Sequence, residues 1–160
     1  MCALREKHSR ALIVIERCNL DDTITFSYDA VQNVENGSTS AGYGVGDRIT
    51  VREALYALLL RSANEVANAL AEHCAGSREA FAALMNEKAA SLGCKESHFT
   101  NPSGLNDENH YTTAYDYSLI AMAAFKNPTF VEFDSTTYYE LPPNSANAEP
   151  FTIYAGHKML

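Results

Sequence analysis

Apolar residues recur three and four positions apart through the middle of the chain and two apart only near its margins. Val51, Leu55, Leu58 and Leu59 keep helical spacing behind Thr50 and Glu53, the residue pair of a capping box. A second helical run over residues 64–74 turns Val66, Ala67, Leu70 and Cys74 inward, with Gly76 just past its end as a C-cap. A third, 78–92, lines up Phe81, Leu84, Met85 and Ala89 and stops at Gly93. Thr113 with Asp116 starts a fourth, which runs through Leu119, Ile120, Met122 and Ala123 to Asn127. Residues 10–16 read as the end of a further helix with Leu12, Ile13 and Ile15 on its apolar face. Alternation marks "TITFS" (23–27) as a short strand, and "TTYYEL" (136–141) and "PFTIY" (150–154) as two more. The Gly, Ser and Asn content of 33–47 predicts a loop, as does "PPNSANAEP", and "NPSG" (101–104) has the residue types of a turn. The expectation is a helix-rich α+β chain with its strands at the margins.

Composition sets bounds on this picture. At 160 residues, 46% hydrophobic and 20% charged, the chain has the make-up of one globular domain, 1–160. Its net charge of −8 disfavours a nucleic-acid or anionic-membrane surface, because phosphate binding needs clustered Lys and Arg. No apolar run reaches the roughly 18–20 residues of a membrane span. The stretch 11–15 is too short for a signal peptide core and is followed by Glu16 and Arg17. Cys2, Cys18, Cys74 and Cys94 are widely spaced, with no C-x-x-C pair, so free buried thiols are expected rather than a zinc site. Asn101 and Asp107 lack the spacing of a calcium loop, and no cofactor or metal is expected.

The candidate chemistry lies in "LLLRSANEVANAL" (58–70). Ser62-x-x-Glu65 is itself a capping box, and a Ser N-cap is worth about 1 kcal/mol without any reactive role. Taken alone, Ser62-Ala63-Asn64 reads as punctuation between two helices. A longer ordered set changes that: Thr50-Val51-Arg52, Leu58-Leu59, Ser62-x-Asn64, Ala71-Glu72-His73, Met85-Asn86-Glu87-Lys88, His98-Phe99-x-Asn101-Pro102, Gly104-Leu105, His110-Tyr111 and Thr113-Ala114-x-Asp116. With these residues the chain, from about Ala11 to its end, closely resembles the serine-type D-alanyl-D-alanine carboxypeptidases, the low-molecular-mass penicillin-binding proteins of peptidase family S11. The resemblance implies a partial β-lactamase/DD-peptidase (transpeptidase-like) fold, mainly its helical part. It lacks the first segment and the C-terminal strands of the family's five-stranded sheet. It also implies serine acyl-enzyme chemistry on peptidoglycan stem peptides, with β-lactams acylating the same serine. Three family motifs face one cleft: Ser-x-x-Lys, Ser-x-Asn and Lys-Thr-Gly. Ser62 and Asn64 take the second, the serine relaying a proton and the amide holding a substrate carbonyl and the Lys.

The first motif departs from the pattern. Counting back from Glu16 in "ALREKHSRALIVIE" puts its Lys at Lys7 and its serine at Leu4, which has no nucleophilic atom. Ser9 has Leu12, not Lys, three residues on and reads as an exposed helix serine; Lys7 reads as a solvated surface Lys in the family-equivalent position. No Lys-Thr-Gly occurs, and Lys158 in "GHKML" is not followed by Thr-Gly. The chain is therefore expected to be an inactive fragment. Two alternatives stand beside that: a non-catalytic peptidoglycan-peptide binding module, and a self-associating helical interaction protein whose uncovered core faces make it a homo-oligomer. The family is extracytoplasmic or membrane-associated in bacteria. His98, His110 and Asp116 suggest a triad, but no serine fits with them. His110-Tyr111-Thr112 reads as loop ordering, Asp116 as a helix start, and Tyr138, Tyr139 and Glu140 as alternating strand faces.

Overall fold

In the computed structural model, residues 3–34, 37–105 and 107–156 are described, with side chains from Lys7 onward. The elements follow in the order α1 (Ala3–Arg17), β1 (Thr23–Thr25), α2 (Tyr28–Gln32), β2 (Arg48–Thr50), α3 (Val51–Tyr56), a π-helical turn (Ala57–Arg61), α4 (Asn64–Ala75), α5 (Arg78–Ser91), α6 (Ala114–Phe125), α7 (Pro128–Asp134), β3 (Tyr138–Leu141) and β4 (Phe151–Tyr154). β1 and β2 pair antiparallel with Ile24 opposite Ile49; β3 and β4 pair antiparallel with Tyr139 opposite Ile153.

Two helices form the middle of the molecule. α1 packs against α4, α5, α6, α7 and the π-turn, and α4 packs in addition against α2 and β1. Ala11, Leu12, Ile13 and Val14 of α1 and every residue from Asn64 to Ala71 of α4 are buried. This central position of α1 corrects one expectation: Ser9, expected to be exposed, is 2% exposed, and its hydroxyl has no partner among the described residues. A serine on a helix packed on several sides has no route to water.

The helix starts follow the predicted capping chemistry. Thr50 and Glu53 form a full capping box, Thr113 accepts from the Asp116 amide, and Gly76 ends α4 at φ +83°. Ser27, predicted as the last strand residue, instead caps α2 by accepting from the Ala30 amide. α7 was not predicted; Asn127 caps it through the amides of Thr129 and Phe130, with Pro128 in its first turn.

A clasp joins the loop before β2 to the β3–β4 loop. The Asp47 carboxylate accepts from the Gly44 amide (2.7 Å), the Ser145 amide (2.9 Å) and the Ser145 hydroxyl (2.9 Å), while Asn144 donates to the Ala41 carbonyl (3.0 Å). The two loops approach so closely that a Cβ at Gly42 would lie 2.8 Å from that of Ala146, and one at Gly44 would lie 2.6 Å from the Ser145 hydroxyl oxygen. Partial burial pushes the Asp47 pKa up, but these hydrogen bonds together outweigh it and hold the carboxyl below its ordinary 3.8. A depressed folded pKa contributes stability that is present above the unfolded value and lost as pH falls through the folded one. Asp47→Asn should therefore be less stable than the parent at pH 6, by under about 1 kcal/mol because the group is near solvent. The difference should shrink as urea titrations are repeated below pH 4.

Candidate functional site

The site is built by a break in helical register. α3 widens into the π-turn at Ala57–Arg61, which ends at Ser62 with φ 55° and ψ 39°. Ser62 has the sole positive φ at a non-glycine among the described residues. Such left-handed residues carry strain and gather at functional sites. Past this turn the Asn64 amide no longer points at Leu60 and donates instead to the Thr39 carbonyl (3.0 Å). Two carbonyls of the π-turn are thereby available to other partners. Leu59 accepts from the Lys7 ammonium (2.9 Å), and Leu60 accepts from the Gly156 amide (3.1 Å).

This geometry overturns the capping reading of Ser62. The N-cap of α4 is Ala63, which offers no side-chain bond, and Ser62 closes the preceding turn. Glu65, the other half of the supposed box, reaches elsewhere: its Oε1 accepts from the Ser40 hydroxyl (2.9 Å) and the Ala41 amide (2.7 Å). Ser62→Gly should therefore stabilise the fold by about 0.5–1 kcal/mol in chemical denaturation by relieving the left-handed strain. A Ser in a true N-cap would give a small loss instead.

Lys7 also departs from expectation. It is 4% exposed, not solvated, because α1 runs through the centre of the molecule. Burial lowers its pKa; the Asp134 carboxylate opposes that shift and Arg10 adds to it. A buried lysine with a depressed pKa is the form in which a lysine serves as a base. Asn64, likewise 4% exposed, donates through Nδ2 to the Thr39 carbonyl (3.3 Å), and its Oδ1 has no partner among the described residues. The structure thus ties Lys7 to the turn that delivers Ser62 and Asn64. Residue 4, one helical turn before Lys7, lies in α1, and its side chain is outside the described set, as are residues 157–160 with Lys158.

A cleft of about 420 Å³ opens beside this corner, lined by Ser40, Ala41, Gly42, Arg61, Asn147 and the strand β4. Arg61 is exposed there and donates through Nε to the Ser40 carbonyl (3.3 Å). Sequence reasoning missed Arg61, the loop-holding role of Glu65 and the Asp47 clasp. The alternating glycines in "GYGVGD" were the available sign of a close backbone approach.

The remaining candidates do not converge. His98 Nδ1 meets the Asn109 carbonyl (2.7 Å), His110 Nδ1 accepts from the Thr100 amide (3.1 Å), and Asp116 accepts from the Glu96 amide and the Ser97 hydroxyl (both 2.7 Å). The antiparallel bridge between His98 and Tyr111 orders that loop. Asn101 Oδ1 is occupied by the amides of Gly104 and Leu105 and by the Ser103 hydroxyl. Among the described residues no group of three His, Cys, Asp or Glu side chains could hold a metal ion.

Residues 11–151 match peptidase family S11, D-alanyl-D-alanine carboxypeptidase. The chain belongs to the D-alanyl-D-alanine carboxypeptidase family. It is 36% identical over 145 residues to the D-alanyl-D-alanine carboxypeptidase DacB2 of Mycobacterium tuberculosis, covering 89% of this chain and 48% of that protein. It is 36% identical over 112 residues to DacF of Bacillus subtilis, covering 68% and 29%. Among solved structures, a D-alanyl-D-alanine carboxypeptidase from M. tuberculosis superposes with TM-score 0.86 at 30% identity, over 98% of this chain and 57% of its own. A Streptomyces DD-transpeptidase gives 0.88 at 28%, over 99% and 65%. The chain therefore spans between about a third and a half of these curated relatives, and its fold is the helix-rich part of the carboxypeptidase family's transpeptidase-like architecture. No helix among the described residues is long and apolar enough to cross a membrane.

Proposed function

We propose that this chain carries the Lys and Ser-x-Asn corner of a serine-type D-Ala-D-Ala carboxypeptidase on a scaffold without its nucleophile, and that by itself it is inactive. The observation that carries this reading is the pairing of Leu4 with Lys7. Lys7 is buried, with a depressed pKa and a fixed hydrogen bond, as a base for an attacking hydroxyl would be. The position one turn earlier, which should supply that hydroxyl, is a leucine. Ser62 and Asn64 keep the family-equivalent positions for proton relay and carbonyl holding, and acyl transfer from a peptidoglycan stem peptide stops for want of an attacking oxygen. The setting implied is extracytoplasmic, where that substrate lies. The test is exposure to a labelled penicillin followed by intact mass measurement. The chain should emerge unmodified; a covalent, slowly hydrolysed adduct would place a nucleophile elsewhere and end this reading.

A specific observation supports a second reading, retention of the peptide without cleavage. The cleft beside the site holds an exposed guanidinium, Arg61, able to meet a terminal carboxylate. Saturable binding of a D-Ala-D-Ala peptide in calorimetry, lost in Arg61→Ala and Asn64→Ala, would establish it; no heat at millimolar peptide would remove it. Self-association has its own support, the exposure of Tyr115, Met122 and Phe125 on α6. A compact monomer in sedimentation velocity at micromolar concentration would dismiss it.

A further inference from the structure

We infer that Cys18 and Cys74 form a reversible disulfide that braces the helix carrying Lys7 against the helix carrying Asn64. Cys18 is the first residue beyond α1, its amide still bonded to the Val14 carbonyl (2.9 Å), and Cys74 lies in the last turn of α4. The two thiols are free and each is half-buried against the hydrophobic core, close enough together that each shifts the other's ionisation. An independent contact fixes the same juncture. His73, the neighbour of Cys74, lies 3.4 Å from the Asp22 carboxylate in the turn that follows Cys18. The ends of α1 and α4 are thus held side by side before any covalent bond exists. Cys94 is a different case: its thiol donates to the Asp116 carbonyl (3.4 Å).

The pair is chemically asymmetric. The neighbouring Cys18 thiol favours the thiolate at Cys74 against the effect of burial, and the Arg17 guanidinium assists. The same proximity, with burial, holds the Cys18 proton on. Cys74 is therefore the attacking sulfur. With a small disulfide such as oxidised glutathione, the Cys74 thiolate displaces one glutathione thiolate and forms a mixed disulfide. Cys18 then gives up its proton and attacks the Cys74 sulfur, releasing the second glutathione. Two protein thiols are oxidised and one glutathione disulfide is reduced to two thiols. The inference rests on packing and thiol chemistry and stands apart from the functional reading above.

The full chain, reduced and then equilibrated in glutathione redox buffer, is quenched by alkylation, digested and mapped by mass spectrometry. A Cys18–Cys74 linked peptide pair should dominate within one chain and disappear with dithiothreitol, while Cys94 is recovered alkylated. The oxidised chain should melt about 5–10 °C higher, as for a bridge closing a long loop in a domain of this size. Cys18→Ser should strand glutathione on Cys74, and Cys94→Ser should leave the link intact. Separate alkylated Cys18 and Cys74 peptides under oxidising poise, or links made mainly through Cys94 or between chains, would overturn the inference. A link without a rise in melting temperature would remove the bracing role. Mapping of the unsubstituted chain decides the matter even where a serine variant fails to fold.

Discussion

Phe133→Ala should cost the fold about 3–5 kcal/mol and lower its melting temperature by roughly 10 °C. Phe133 is fully buried in α7, and its ring lies 4.5 Å from that of Tyr56, which in turn stacks on Tyr139 at 3.9 Å and 13°. The three rings join α7 to α3 and β3, so truncation opens a cavity at a junction of elements fixed from several sides, where collapse is hard. Val131→Ala provides the contrast, because Val131 is exposed on the same helix and its loss should fall within about 0.5 kcal/mol. Equal losses for the two would mean that α7 is anchored by its cap rather than by its buried face. The effect should extend to the site. Asp134 follows Phe133 directly, its charge opposes the depression of the Lys7 pKa, and its carboxylate lies 3.8 Å from His8 Nε2.

α7 also shows where the sequence is hard to read. Its signals were present: Asn127 before Pro128, then Phe130 and Phe133 three apart. Seven residues hold too few turns for a period to stand out, and the apolar pattern assigns no element to the stretch between Asn127 and Thr136. The longer helices, and α3 where the π-turn extends its apolar period, were legible, because Thr50, Thr113, Gly76 and Gly93 mark their ends by local chemistry alone. Lys7 was misread for the opposite reason. Nothing within α1 reveals that α6 and α7 close over it, and a lone Lys beside Arg5 and Arg10 reads as solvated until those helices are placed. At Ser62 two local rules competed. Ser62-x-x-Glu65 is a sound capping pattern, yet the left-handed turn that closes the π-helix comes one residue before the N-cap position. The resemblance, carried by ordered residues along the chain, identified Ser62 and Asn64 as a unit where local rules favoured a cap. What it could not supply was the role of Glu65, which depends on a loop more than twenty residues away meeting α4.

That role yields the second large effect. Glu65→Ala should destabilise the fold by about 2 kcal/mol, and Glu65→Gln by less than half as much. The side chain is 2% exposed and accepts from the Ala41 amide and the Ser40 hydroxyl through one oxygen, Oε1. Hydrogen bonds to a charged acceptor contribute about 1.5–3 kcal/mol each, and alanine would leave the buried Ala41 amide without its partner. Against this stands the cost of keeping a carboxylate out of water, since Oε2 has no partner among the described residues. Glutamine keeps the accepting oxygen and removes the charge, so it separates the two contributions. Ser40 and Ala41 wall the cleft, and Arg61 bonds to the Ser40 carbonyl, so Glu65→Ala should weaken any ligand held beside Arg61 even where the chain remains folded. Urea titration of both variants decides the balance. Should Glu65→Gln prove more stable than the parent, the charge is a net burden retained for positioning the wall. Should Glu65→Ala prove neutral, the Asp47 clasp alone holds the loop.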